Sequence, residues 1–506
     1  MNNLVRINSN ALKEVINYFC VLLISFISFL LFSPIYHPEF NSDQAIHVLM
    51  SARNDYPEGI YYWGQNRLGS FLPEVTSYFV SIFKIHPLTA ISIVNHLFLL
   101  TIFFLLQIVL KNSIPKIFLA ILLLFPLYTF NALLLIGHPY CSQIFVGTLA
   151  VFLLDKAYQK IIYEQSFKKI SIWIYGLVSA FLFGISIWIS ESSFLFIVFV
   201  IFYFLLAKEK RKLFFNALIK EKIIALSFLV SFLAIGIFWI LKIQQFKNYY
   251  PENDLYDQIF ITQGEEISQQ GKWMWEKFTD VLFFQGDNNS TSWFTWVCII
   301  CILTFTIFNR KNKNELSTSL LFTLLIGFVA LFFSTWNFRS EFEPRYFTLL
   351  YPFLLLWIFI QLEKLDLKNS FLRFIPAGVL VTLVLVNNSH FITERKPGVI
   401  ERFSEFSELE PGGVIGNYWQ VYRACAISPF HLKGIPMQGD PLRNEHMLEE
   451  VMNEKLIYII KTDFTGMENE MPDTLVQYGF TLVKREEKER EIGHVSFGLY
   501  KVISRP

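Results

Sequence analysis

Residues 42–74 read SDQAIHVLMSARNDYPEGIYYWGQNRLGSFLPE. This polar, aromatic-rich stretch follows the first long apolar run, residues 18–35, and leads into the next one. It gathers Asp43, His47, Arg53, Asp55, Glu58, Arg67 and Glu74 around Tyr61, Tyr62, Trp63 and glycines at 64 and 69. No other loop between apolar runs is so dense in usable groups, so the chemistry is expected here, at one surface of a membrane protein.

Composition supports the membrane setting. The chain is 53% hydrophobic with 55 Phe among its 506 residues, and only 17% charged, where a soluble domain carries about 25%. A net charge of +1, with the basic residues spread over short loops, gives no patch for nucleic acid. Of the five cysteines, Cys20, Cys141, Cys298 and Cys301 fall in or beside apolar runs and only Cys425 in a soluble region. Neither a disulfide framework nor a cysteine metal site is implied. The run at 18–35 lacks a small-residue cleavage site, so it reads as an uncleaved first helix.

Crossing the hydrocarbon core takes about 20 apolar residues, and eleven candidate spans centre near residues 26, 99, 126, 149, 180, 199, 232, 300, 326, 354 and 382. Alternate loops carry the Lys and Arg clusters, including Lys156, Lys160, Lys168 and Lys169, then Lys208 to Lys222, then Arg310, Lys311 and Lys313. By the positive-inside rule those loops are cytoplasmic. The expected layout is a mainly α, polytopic domain over 1–390 with a cytoplasmic N-terminus and two long external loops, 36–87 and 243–293, followed by a soluble external α/β domain over 391–506. Helical spacing at 45–52 and 71–85 predicts two interfacial helices in the first external loop. The Trp-rich second loop suits a lid at headgroup level. In the tail, strands are expected at 412–419, 455–461, 480–485 and 495–502, with helices near 445–453 and 472–478.

Asp43 is the candidate general base, since a carboxylate within reach of an acceptor hydroxyl can take its proton, with Glu39 and His47 near enough in sequence to tune it. The same residue, with Ser42, would also suit a helix N-cap; the two roles are compatible. Arg53, Arg67, Arg339 and Arg345 are candidates for an anionic headgroup because the guanidinium forks onto phosphate oxygens. Arg345 follows Pro344 at the mouth of a late span, beside Tyr346, and could equally snorkel to ordinary lipid phosphates. Substrate-binding candidates are Glu39, Gln44, His47, Tyr62, Trp63, Gln65, Glu74, His138 of the GHPYC turn and Glu191 of the WISESS turn; His138 also suits a structural turn, and Glu191 a solvated one. The string NYWQVY at 417–422 stands out in the tail. No convincing set of metal ligands and no nucleotide-binding fingerprint is present, so no cofactor is expected, although a divalent metal is not excluded.

One span, then SDQAIHVLMSARN and YYWGQNRLGSFLPE, then many spans resembles the GT-C class of membrane glycosyltransferases, and within it the bacterial group related to glycosyltransferase family 39, which includes protein O-mannosyltransferases and lipid A aminoarabinose transferases. The matching features are Asp43 after the first span, Tyr61 to Gly64 with Gln65, and Pro344, Arg345 and Tyr346. The NYWQVYR string is similar to the tails of other members. The resemblance implies a GT-C-like bundle in a bacterial inner membrane, a polyprenyl-phosphate sugar donor, Asp43 as base, inversion at the anomeric carbon, and a glycan, lipid or protein acceptor. Two departures matter. Gln44 stands where many members have Glu, and the Pro-Pro step of the mannosyltransferases is missing between Gln65 and Glu74, which argues against protein mannosylation. The rival reading, a transporter or flippase of a lipid-linked glycan, would place polar groups and broken helices near the bilayer midplane in two related halves; this sequence concentrates its charges at one face.

Overall fold

The computed structural model describes residues 9–36, 40–53, 59–65, 67–248, 260–285, 289–308, 314–365, 374–389, 398–399, 404–461, 471–485, 490–492 and 495–506. Helix α1 (Ser9–Phe32) leads into the 42–74 segment, which forms α2 (Ser42–Arg53) and α3 (Phe71–Phe83). The helical body continues through α4 (Pro87–Leu106), α5 (Ser113–Leu124), α6 (Tyr140–Glu164), α7 (Ile170–Ile189), α8 (Phe194–Leu206), α9 (Lys208–Lys220) and α10 (Lys222–Lys247). It closes with α11 (Gly264–Leu282), α12 (Asn289–Phe308), α13 (Glu315–Phe332), α14 (Thr335–Arg339), α15 (Tyr351–Lys364) and α16 (Ile375–Asn387).

Among the described residues, seven helical stretches are long and apolar enough to cross a membrane: Glu14–Phe32, Pro87–Val109, Tyr140–Glu164, Ile170–Ile189, Lys222–Lys247, Glu315–Phe332 and Pro344–Lys364. An eighth results if Glu191–Leu206 and Lys208–Lys220, bent by 90°, form one span. The chain is a multi-pass membrane protein, with fewer full-length spans than the eleven expected. Three of the expected spans are short helices, Ser113–Leu124, Asn289–Phe305 and Ile375–Asn387. For the first, the reason is Pro126: it has no N–H to donate and pushes its predecessor out of helical geometry, so α5 stops at Leu124 and the chain resumes as a 3-10 turn, Tyr128–Leu133. The bend after α8 has a different cause. Past Ala207 the sequence is KEKRK, and such a charge density does not continue into hydrocarbon.

Both helices expected in the first long loop form, but they differ in burial. α3 carries exposed Tyr78, Ile82 and Phe83, as a helix lying at an interface should. α2 is instead a core helix, with Ala45, Ile46, Val48 and Leu49 all inaccessible. What covers it is the C-terminal unit.

That unit holds strands β1 (Gly412–Gly416), β2 (Leu432–Pro436), β3 (Ile457–Ile460), β4 (Thr474–Gln477), β5 (Phe480–Lys484), β6 (Arg490–Ile492) and β7 (Val495–Ser504), with helices α17 (Tyr418–Ile427) and α18 (Glu445–Met452). They form one mixed sheet in the order β2-β1-β3-β7-β5-β4, with β6 also pairing β7. β1 runs parallel to β2 and β3, while β7 is antiparallel to β3 and β5. Two expectations fail here. The first strand ends at Gly416 because Asn417 caps a helix, its side chain accepting from the Trp419 N–H, a strongly favoured arrangement. Residues 472–478 are not helical: a tight turn through Tyr478 and Gly479, both at positive φ, pairs β4 with β5 as a hairpin.

α17 packs against α2, and the Ser42 hydroxyl donates to the Tyr418 carbonyl at 2.8 Å. His86 donates from Nε2 to the Ile427 carbonyl at 2.9 Å, and Arg53 pairs with Glu450 at 3.1 Å. Buried apolar residues of the sheet join most of those of the helical body in one continuous cluster, while a smaller one lies between α6, α7, α9 and α10.

Candidate active site

Asp43 lies in the first turn of α2, yet it does not cap that helix. Asn41 does, its Oδ1 accepting from the Gln44 N–H at 3.0 Å, and Ser42 is committed to Tyr418. The Asp43 carboxylate is therefore available for other partners. Two phenols donate to its Oδ1: Tyr62 at 2.8 Å and Tyr418 at 3.1 Å. Among the described residues no hydrogen bond reaches Oδ2. Burial and the Asp43 charge hold the Tyr62 and Tyr418 hydroxyls above the ordinary phenol range, so both remain neutral donors.

Behind Tyr418 stands Arg443, whose Nε–H donates to the Tyr418 oxygen at 3.2 Å. Its guanidinium lies 5.3 Å from the Tyr418 ring centroid and 5.8 Å from that of Tyr62. A cation over two phenol faces is a cation–π arrangement, and it gives the carboxylate a fixed positive neighbour.

His47, one turn along α2 from Asp43, packs edge-on against Tyr62 with centroids 5.2 Å apart and donates from Nδ1 to the Ile136 carbonyl. That bond sets the tautomer. Burial pushes His47 down to about 4, so the ring is neutral at working pH. Ile136 opens the GHPYC turn, and Gly137 in that turn lies against α2: a Cβ there would stand 3.0 Å from the Gln44 nitrogen. The turn brings His138 into the electrostatic reach of Asp43, His47 and Arg345, and burial together with the Arg345 charge lowers it to about 4.

Arg345 is the second residue of a 3-10 turn, Pro344–Leu350, that runs into α15. It pairs with Glu343 at 2.9 Å and lies 5.4 Å over the Tyr346 ring, and Tyr346 hydrogen-bonds Ser340 at 3.0 Å. Tyr140, first residue of α6, lies within the fields of Arg345, Glu343, Tyr346 and Arg67. The Arg67 guanidinium stacks 3.3 Å above Trp336, and its Nε donates to Gln65 Oε1 at 3.2 Å. Arg339 is exposed, 5.9 Å from the same indole.

Of the residues singled out in the sequence, the structure thus groups Asp43, His47, Tyr62, His138, Arg345, Tyr346 and Arg67. Gln44, Trp63 and Gln65 are buried. Glu74 sits in the first turn of α3, where burial raises its carboxyl above the usual range. Glu191 is at an exposed 3-10 turn, paired with Lys247 at the end of α10. Arg53 is occupied by Glu450. Glu39, Asp55 and Glu58 lie outside the described residues. No three His, Cys, Asp or Glu side chains converge as a metal site among the described residues.

Two members of the group went unassigned in the sequence. Tyr418 belongs to the NYWQVY string, which drew attention without suggesting a role. Arg443, in PLRNE ahead of α18, carried no signal at all.

No protein family and no curated protein matches the sequence. Among solved structures, the chain is similar to archaeal oligosaccharyltransferase AglB from Archaeoglobus fulgidus in complex with an inhibitory peptide and a dolichol-phosphate: 12% identity and a TM-score of 0.47, over 90% of this chain and 70% of that one. The oligosaccharyltransferase of the same organism in complex with Zn and sulfate gives 13% and 0.49 over 88% and 68%. Its apo form gives 12% and 0.48 over 89% and 70%.

Proposed function

We propose that this chain is a membrane glycosyltransferase that moves a sugar from a polyprenyl-phosphate donor to an acceptor hydroxyl, with Asp43 as general base. The observation that carries the reading is the Asp43 carboxylate, released from capping by Asn41 and steadied at Oδ1 by two phenols, with Oδ2 unengaged among the described residues. A carboxylate held this way can accept a proton from a hydroxyl.

In the reaction, the acceptor oxygen bonds the anomeric carbon from the face opposite the phosphate while its proton passes to Asp43. The bond between that carbon and the phosphate oxygen breaks, with inversion, and the lipid phosphate leaves. Arg345 meets the charge that develops on the leaving phosphate, which is where fixed positive charge lowers a barrier most. Its present partner Glu343 is weakly held, both side chains being about two-fifths exposed (42% and 41%), so a phosphate can take its place. Arg67 is a second phosphate candidate.

A cavity of about 560 Å³ between α4, α6, α8, α9, α10, α13 and α15 supports a lipid-linked donor. Its lining is mainly apolar, with Phe152, Phe196, Phe199 and Phe353 among the side chains and Asp155 and Lys156 at one end. Its α6 lining runs from Thr148 to Ile161, roughly 12 to 32 Å along the helix axis from Tyr140 at 1.5 Å per residue. The lipid tail would run from Arg345 into this space. By the charge pattern of the loops the reaction faces the external side of the membrane, with the tail over 391–506 as an external domain; a bacterial inner membrane is what the family resemblance implies.

The test is transfer from a panel of radiolabelled polyprenyl-phosphate sugars by membranes containing wild type or Asp43→Asn at matched levels. The expected outcome is turnover with at least one donor and a loss of about 100-fold or more in the variant, the range for removing a general base. Equal activity of the two proteins would remove Asp43 from the chemistry. Binding of donor by both with no turnover would favour a lipid-linked glycan transporter.

A further inference from the structure

The C-terminal unit does more than cover α2. It reaches the candidate base with two side chains far away in sequence: Tyr418, from the first turn of α17, and Arg443, from the segment before α18. Tyr418 donates to Asp43 at 3.1 Å and accepts from Arg443 at 3.2 Å. Each is itself anchored. The Tyr418 N–H donates to Asp440 at 2.9 Å and its carbonyl accepts from Ser42 at 2.8 Å, so the backbone of this residue is pinned from both units. Arg443 rests against the loop through Gly64, which sits at φ +68 with the Arg443 backbone where a Cβ would come within 3.2 Å.

Resting on the glycosyltransferase reading, we propose that Tyr418 and Arg443 are positioning residues for Asp43, so that the C-terminal unit completes the site rather than merely adjoining it. Tyr62 alone would leave the carboxylate one tether, about which it could rotate. A second phenol on the same oxygen, brought by another part of the chain, fixes the plane of the carboxylate and so the direction in which Oδ2 presents its lone pair. Arg443 in turn fixes the Tyr418 hydroxyl: by donating to the phenol oxygen it occupies a lone pair there and turns the O–H toward Asp43. Neither residue needs to touch substrate for this. The cost of losing them falls on orientation, and a displacement of about 1 Å at a reacting group can cost on the order of 100-fold in rate.

The experiment compares wild type, Asp43→Asn, Tyr418→Phe, Arg443→Ala and Arg443→Lys in the full-length chain, with Phe430→Ala as a control on an exposed residue of the same unit. Donor turnover is measured as kcat and KM with a polyprenyl-phosphate sugar, and the melting temperature of each purified protein is recorded. The expected result is a kcat lowered by about 10- to 100-fold in Tyr418→Phe and Arg443→Ala, with donor KM within about twofold of wild type. Arg443→Lys, which keeps the charge and a donor, recovers part of the loss, and Phe430→Ala behaves as wild type. Full activity in Tyr418→Phe and Arg443→Ala beside a dead Asp43→Asn would overturn the inference and leave the base in place. A kcat loss that follows a lowered melting temperature and disappears on assay at lower temperature would also overturn it, reducing both residues to structural supports. An active Asp43→Asn would instead remove the reading on which the inference rests.

Discussion

At the scale of single residues, the decisive event is that Asn41 takes over the cap of α2 and leaves Asp43 to Tyr62 and Tyr418. The residue type and its place after the first span were legible in the sequence, but a carboxylate at a helix start suits a cap as well as a base, and only the partners decide. Arg345 raises a testable point of the same kind. If it serves the donor phosphate, Glu343 competes with that phosphate; Glu343→Gln should therefore lower donor KM several-fold with kcat little changed, and an unchanged KM would count against Arg345. The histidines make a prediction with a sign. His47 and His138 are held at about 4 in the fold against about 6.5 in an unfolded chain. The unfolded state then binds the extra protons, so the stability they confer is intact above about pH 6.5 and is lost as the pH falls toward 4. Melting temperatures should drop across that window. His47→Asn, which keeps a donor for the Ile136 carbonyl, should flatten the dependence.

At the scale of elements, the sequence located helices at or beside every expected span but not their lengths. Hydropathy averages over a window and so misses a single break such as Pro126, or the right-angled turn between α8 and α9. In the tail, β3, β5 and α18 lie where alternation and periodicity put them, whereas β4 was misread because its residues have mixed polarity, with Thr474 and Val476 exposed. The turn at Gly64 shows what an element boundary contributes. Its positive φ costs an L-residue roughly 1 kcal/mol, and the space for a Cβ is already taken by Arg443. Gly64→Ala should lower the melting temperature and, by displacing Arg443, reduce turnover more than Gly236→Ala, where a Cβ meets nothing within 4 Å; equal turnover in the two would detach the loop from the site.

At the scale of the whole molecule, the site belongs to no single segment. It draws on the loop after α1, the turn before α6, the turn before α15 and two pieces of the C-terminal unit. Arg53 is one clasp of that assembly: it meets Glu450, which Lys433 also holds at 3.2 Å. Arg53 is largely buried but Glu450 is two-fifths exposed and keeps Lys433 as a partner when Arg53 is removed, so Arg53→Ala should leave the protein folded. Hydrogen exchange in α17 should nevertheless rise, and kcat should fall with it if docking orders Tyr418. Exchange unchanged in α17 would mean that Ser42, His86 and the apolar contacts hold the unit without the ion pair.

The sequence by itself determined a multi-pass helical protein, an α/β tail and the loop richest in ionisable groups, because hydropathy, strand alternation and local clusters of ionisable groups are properties of neighbours in the chain. The tertiary structure decided which of those groups meet. Tyr418 stands 375 residues from the carboxylate it touches, and Arg443 is farther still. No periodicity spans such a distance; only the burial of α2 beneath the C-terminal unit, driven by the apolar surface that both elements remove from solvent, brings a phenol and a guanidinium to Asp43.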